Sequence, residues 1–142
     1  MTVCLGLDYG LRRIGVAVGD TGRRLAFAVT THVEGRDGRV LDLLRRLAAE
    51  RGAGRIVLGL PLTADGREGD LAVRVRRFAA VLERELGLEV VLWDERYSSA
   101  EADRWLPTGR RTGKEARDAL AAEIILQSYL DSLSAGAAEP QP

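Results

Sequence analysis

Three carboxylates stand where packing alone gives an acid little reason to be. Asp8 ends a first apolar strand, Val3–Leu7, and Glu95 follows a later one, Glu89–Trp93. Asp118 is in register with Ala121, Ala122, Ile125 and Tyr129, which puts it on the apolar stripe of a helix. An acid in such a stripe is costly unless it is paired or bound to a cation. Three acids converging on one rim would repel one another, and a divalent ion is the usual neutraliser. All-oxygen ligation suits Mg²⁺ or Mn²⁺ rather than Zn²⁺, and a chain with one Cys and one His has no nitrogen and sulfur cluster to offer. Two such ions about 4 Å apart activate water and stabilise the leaving oxygen in phosphodiester hydrolysis. The chemistry expected of Asp8, Glu95 and Asp118, as metal ligands and catalytic acids, is that of a nuclease. Two of the acids also have a plainer reading: Asp8 as the opener of a turn, and Asp118 as a first-turn acid favoured by the helix dipole.

A nuclease must hold phosphates. Here 21 basic residues balance 21 acidic ones, so no global field draws the protein to nucleic acid and any grip must be local. All but one of the basic residues are Arg, whose planar fork suits phosphate oxygens. The expected contacts are Arg12 and Arg13 in the first hairpin, and Arg110, Arg111 and Lys114 before the last helix. Arg96, beside Glu95, has three readings: orienting that carboxylate, touching the scissile phosphate, or forming a structural ion pair. Gly59 is read either as shaping a tight loop or as letting a phosphate backbone come close.

The elements that must position these residues follow from periodicity. Val3–Leu7 is apolar at nearly every position, as in a central strand covered on both faces, and it pairs with Ile14–Val18 across a turn. A third run, Leu25–Thr31, completes an antiparallel meander. Val40, Leu43, Leu44 and Leu47 recur at helical spacing, a buried strand follows at Arg55–Gly59, and a second amphipathic helix runs from Leu71 to Leu86. After Glu89–Trp93, Ser98 or Ser99 caps a short helix, and a long helix spans about Glu115 to Leu133. The order is βββαβαβαα: an α/β fold with a five-stranded mixed sheet and helices on both faces. Residues 1–133 form one domain, and 134–142 are expected to be a disordered tail. Trp93 and Trp105 are expected in the core, Asp20 and Asp94 as loop-shaping acids, and His32 on the surface at a strand end. No apolar run reaches the roughly 20 residues of a membrane-spanning helix. A cytoplasmic location is expected, with Cys4 packed in the first strand as a small hydrophobe.

Four blocks, GLDYGLRRIGVAVGD, VLGLPLTADGREG, DERYSSAEA and ARDALAAEIILQSYLD, resemble the signature blocks of the YqgF/RuvX family, in order and at family-like spacing from Val3 to Asp131. That family is described both as pre-16S rRNA nucleases and as Holliday junction resolvase-like proteins. The resemblance implies an RNase H-like fold with its acidic residues on Asp8, Glu95 and Asp118, and a role in processing the 5′ end of pre-16S rRNA during ribosome biogenesis. Two departures stand out: Tyr97-Ser98-Ser99 replaces the Leu-Thr-Thr often found after Asp-Glu-Arg, and the basic run before the last helix is short. Precursor rRNA is the favoured partner of a monomer or homodimer. One rival is resolution of branched DNA, which needs paired active sites and hence a dimer. Another is an ATP-binding phosphotransferase, which needs a second domain, and a third is a non-catalytic RNA-binding domain.

Overall fold

The structure, a computed structural model, describes residues 1–95 and 113–133. Its elements are β1 (Val3–Tyr9), β2 (Arg13–Asp20), β3 (Ala26–Val33), α1 (Val40–Arg51), β4 (Ala53–Leu60), α2 (Asp70–Leu86), β5 (Glu89–Asp94) and α3 (Lys114–Ser132). The sheet order is β3-β2-β1-β4-β5, with β1 in the centre as its unbroken apolar run requires. Direct turns make β1–β2 and β2–β3 antiparallel, while the two helical crossovers make β1–β4 and β4–β5 parallel. The short helix expected after Glu95, Trp105 and the tail from residue 134 lie outside the described residues.

The two-residue period of the strands divides the core in two. Leu5, Leu7, Val16, Ile56 and Leu58 face α1 and α2, where Leu44, Val75 and Leu82 meet them. Cys4, Ala17 and Val57 face α3 and pack against Ala122, Ile125, Leu126 and Leu130. The α3 side of the sheet is lined with small residues because the helix lies very close to it. A methyl group built on Gly15 would stand 1.8 Å from the backbone oxygen of Asp118, and one on Gly6 would stand 2.6 Å from Cβ of Leu126.

The helix also leans over the β3 edge. Glu123 accepts the outward N–H of Ala28 at 2.8 Å, Gln127 accepts that of Ala26 at 2.9 Å, and the Thr31 hydroxyl donates to the Glu115 carbonyl. Two donors that would otherwise invite another strand are thereby occupied.

Two expectations need correction. The first strand runs on to Tyr9, so Asp8 lies inside it, paired opposite Gly15, and not at its end. His32 is not a surface residue: it is 1% exposed, because β3 continues to Val33 and pairs His32 with Ile14, whose side chain is in the α1–α2 core. Trp93, expected in the core, is half-buried against its α3 side; its indole N–H donates to Ser128 Oγ at 3.0 Å and its ring meets Tyr129 edge-on. Asp20 closes its turn by accepting the Arg23 backbone N–H at 2.6 Å.

Candidate active site

Asp8, on the α3 side of β1, is where the site begins. Its register partner on one side is Gly15, which has no side chain to cover it. On the other side runs β4, whose Leu58 pairs with Leu7, so that Gly59 is the next residue alongside Asp8. Glu95 follows β5, and its N–H donates to the Leu60 carbonyl at 3.1 Å, which extends the β4–β5 pairing by one residue. From there its side chain lies back across Gly59. A methyl group on Gly59 would stand 2.5 Å from Glu95 Oε1 and 2.8 Å from Ile125 Cδ1. The sequence offered two roles for Gly59, and the structure gives a third: it makes room for the Glu95 carboxylate to reach Asp8.

The two carboxyls are hydrogen-bonded to each other. Asp8 is pushed up to about 8, first by burial, then by the charge of Glu95 and by the hydrogen bond it donates to Glu95, and last by the charge of Asp118. Glu95 is also raised, first by burial, with Asp94 adding repulsion, but the hydrogen bond from Asp8 opposes that rise. Burial and mutual repulsion therefore disfavour charging both carboxyls at once, and the hydrogen bond between them requires a proton held by the pair.

Asp118 reaches the same rim from the first turns of α3, and its charge is felt at Asp8. Its carboxylate, however, is held by Arg13, whose Nε donates to Oδ2 at 2.6 Å. Arg13 was expected to grip nucleic acid; here it fixes the third acid. Among the described residues no group of three His, Cys, Asp or Glu side chains is gathered closely enough to hold a metal ion. The donor chemistry nevertheless fits a hard divalent ion. Two half-buried carboxyls hydrogen-bonded to each other, with the charge of a third felt at Asp8, are oxygen donors of the kind such an ion takes. The two acids in direct contact are Asp8 and Glu95, and Asp118 is paired with Arg13.

Of the expected phosphate contacts, Arg12, Arg13 and Lys114 do come together, around an open cavity of about 490 Å³ at the start of α3. Arg12 and Lys114 are exposed, whereas Arg96, Arg110 and Arg111 lie outside the described residues.

A five-stranded sheet in the order β3-β2-β1-β4-β5, with its acidic rim on the central strand, defines an RNase H-like fold. The fold matches that of Thermus thermophilus RuvC in complex with a Holliday junction substrate, with a TM-score of 0.59 at 15% identity over 99% of this chain and 100% of that one. A second Thermus thermophilus RuvC structure gives a TM-score of 0.56 at 15% identity, covering 92% of this chain and 96% of the other. The family model described as "RuvX: Holliday junction resolvase" matches residues 2–132, and the chain belongs to that family. A relative from Chloroflexus aggregans, named "Putative pre-16S rRNA nuclease", is 43% identical over 134 residues, which are 90% of this chain and 92% of the relative. One of the same name from Anaeromyxobacter sp. (strain K) is 45% identical over 130 residues, or 89% and 95% of the two chains.

Proposed function

We propose that this chain is a divalent-metal-dependent endonuclease of the cytoplasm that hydrolyses phosphodiester bonds in structured nucleic acid, with precursor 16S rRNA as its substrate. The observation that carries this reading is the Asp8–Glu95 pair, one acid within β1 and one just after β5, which meet over Gly59 and share a proton. Two half-buried acids in contact without a cation oppose folding, and strongly perturbed acids cluster at functional sites. The name shared by the relatives points to rRNA.

Asp8 and Glu95 would hold the ion, with Asp118 beside them, and the bound ion supplies water activation and neutralises charge on the leaving oxygen. The remaining work falls to the chain itself. Gly59 leaves the space that lets Glu95 lie across β4. Arg13 fixes the direction of the Asp118 carboxylate and partly cancels its charge. Arg12 and Lys114 take the phosphates on either side of the scissile one, where two cations on a neutral protein give local grip without general affinity.

The test is cleavage of precursor rRNA and of four-way junction DNA side by side, with Mg²⁺ and with Mn²⁺, by the parent and by Asp8→Asn. Cleavage of rRNA by the parent alone supports the reading. Preference for the junction, which the family description favours, would move the substrate to branched DNA and require two copies of the chain. Equal activity in both proteins would place the site elsewhere. Binding without cleavage in either would leave a non-catalytic RNA-binding domain.

A further inference from the structure

The bond between Arg13 and Asp118 joins two groups that the proposed chemistry needs separately. Arg13 opens β2 and lines the cavity of about 490 Å³ at the start of α3, while the charge of Asp118 is felt at Asp8. The bond is a single one. Arg13 Nε donates to Asp118 Oδ2 at 2.6 Å, and the two terminal guanidinium nitrogens make no hydrogen bond among the described residues. Nor is the bond sealed from water, since 35% of the Arg13 side chain and 23% of the Asp118 side chain are exposed. An ion pair this open is weak, and either half can be taken by a better partner.

The cavity favours one such partner. Its lining carries three cations, Arg12, Arg13 and Lys114, against one acid, Glu115, which already accepts a bond from Arg36 at 2.5 Å. Arg12 and Lys114 are exposed and have no ion pair among the described residues, so the wall is positive. A phosphate drawn there offers the Arg13 fork two oxygens in place of the one it now holds. The acidic rim favours the other partner. Asp118 is the further oxygen donor whose charge reaches Asp8, and a doubly charged ion attracts a carboxylate more strongly than a guanidinium does. Either ligand by itself breaks the bond and leaves one half without a partner, whereas the two together replace both halves.

We infer that Arg13 couples the phosphate groove to the metal site: a substrate phosphate takes its guanidinium from Asp118, and the released carboxylate joins Asp8 and Glu95 on the ion. The third acid is thus engaged only when nucleic acid is in place. The inference rests on the proposed nuclease reading and adds a regulation to it, in which the free protein holds the ion on two acids and the complex holds it on three. By linkage, the phosphate and the ion raise each other's affinity by the same factor.

The test is Mn²⁺ binding to the full chain, followed by loss of the free-ion electron paramagnetic resonance signal. It is measured alone and with a saturating 6-nucleotide RNA, with binding to the RNA alone subtracted and the RNA checked for integrity afterwards. In the parent, RNA should tighten Mn²⁺ binding about fivefold, the low end for coupled sites because the bond is exposed. In Arg13→Gln, Mn²⁺ should bind without RNA about fivefold more tightly than it binds the parent, and RNA should add nothing further. Asp118→Asn should match the parent without RNA and show no gain with it; it carries the test if Arg13→Gln fails to fold. Arg12→Gln removes a neighbouring charge and not the bond, so it should bind Mn²⁺ as the parent does and keep the gain at RNA saturation.

Mn²⁺ binding that RNA leaves unchanged in the parent would overturn the inference and leave the nuclease reading standing. A gain in Asp118→Asn or in Arg13→Gln equal to the parent's would do the same. So would an Arg12→Gln protein that tightens on Mn²⁺ as much as Arg13→Gln, which would make the effect one of general charge. A parent that takes up no Mn²⁺ with or without RNA would defeat the inference and the nuclease reading together.

Discussion

Replacing Gly15 by Ala is the sharpest probe of how the third acid is positioned. The added methyl carbon would sit 1.8 Å from the Asp118 carbonyl oxygen, 2.4 Å from its carbon and 3.0 Å from the Ala119 nitrogen. An ordinary carbon-to-oxygen approach is about 3.3 Å, so α3 must retreat by about 1.5 Å where it crosses β2. The atoms in the way belong to backbone and cannot rotate aside. Overpacking of this kind costs about 1–3 kcal/mol and sometimes more, and the gap opened against Ala122 and Leu126 forfeits dispersion contacts besides. A loss of about 3 kcal/mol is expected, which for a domain of this size lowers Tm by about 10 °C. With a typical total stability of about 5–15 kcal/mol the variant should remain folded at room temperature. Its activity should nevertheless collapse, because the displaced carbonyl is that of Asp118 itself. The assay is thermal unfolding by circular dichroism, with cleavage measured at 25 °C. Gly54→Ala is the control, since its methyl would meet only Thr2 Cγ2, at 3.5 Å. A Gly15→Ala protein that melts within about 2 °C of the parent and still cleaves would refute the close docking of α3 and the placement of Asp118 built on it.

Asp8 holds a proton up to about pH 8 when folded but releases it near 3.8 when unfolded, so its contribution to stability is full below pH 4 and is lost as pH rises toward 8. Melting temperature should fall between pH 5 and pH 8 in the parent and stay flatter in Asp8→Asn; parallel profiles would contradict the shared proton. A cation that takes that proton's place binds only the folded state, so Mn²⁺ at 100 times its Kd should add about 2.7 kcal/mol at pH 7.5, and Asp8→Asn should lose this gain. A melting temperature indifferent to millimolar Mn²⁺ in the parent would count against a metal site at the pair. Glu123→Ala with Gln127→Ala bares the N–H groups of Ala26 and Ala28 on the β3 edge. The expected outcome is a loss of about 1–2 kcal/mol and concentration-dependent association by size-exclusion chromatography; a monomer of unchanged stability would show that the edge needs no cover.

Much of this architecture is written locally in the chain. Strands and helices announce themselves through periods of two and of three to four residues, because side-chain direction repeats with the backbone. Thus Val3–Leu7 reads as the central strand, and Gly52 and Gly87, left-handed at φ 65° and 67°, stop α1 and α2. The acids drew notice for a related reason: Asp8 and Glu95 stand where apolar strand runs stop and Asp118 stands in an apolar helix stripe, positions visible without a partner. What each acid touches was not. The Arg13–Asp118 bond joins residues 105 apart in sequence, and no spacing rule distinguishes an arginine that fixes an acid from one that waits for a phosphate.

Burial of His32 escaped notice because a strand's last residues have the same local pattern whether the chain beyond them leaves or folds back. Gly59 was seen as a glycine at a strand end, but the carboxylate that fills its empty side comes from the neighbouring strand. The sequence by itself determined which segments form elements, in what order they join, and which acids are out of place, since those depend on interactions within a few residues. Only the tertiary structure decided that Asp8 and Glu95 share a proton, that Asp118 is held by Arg13, and that α3 presses closely enough to demand glycine at position 15, because those are properties of distances between segments that the chain brings together only by folding.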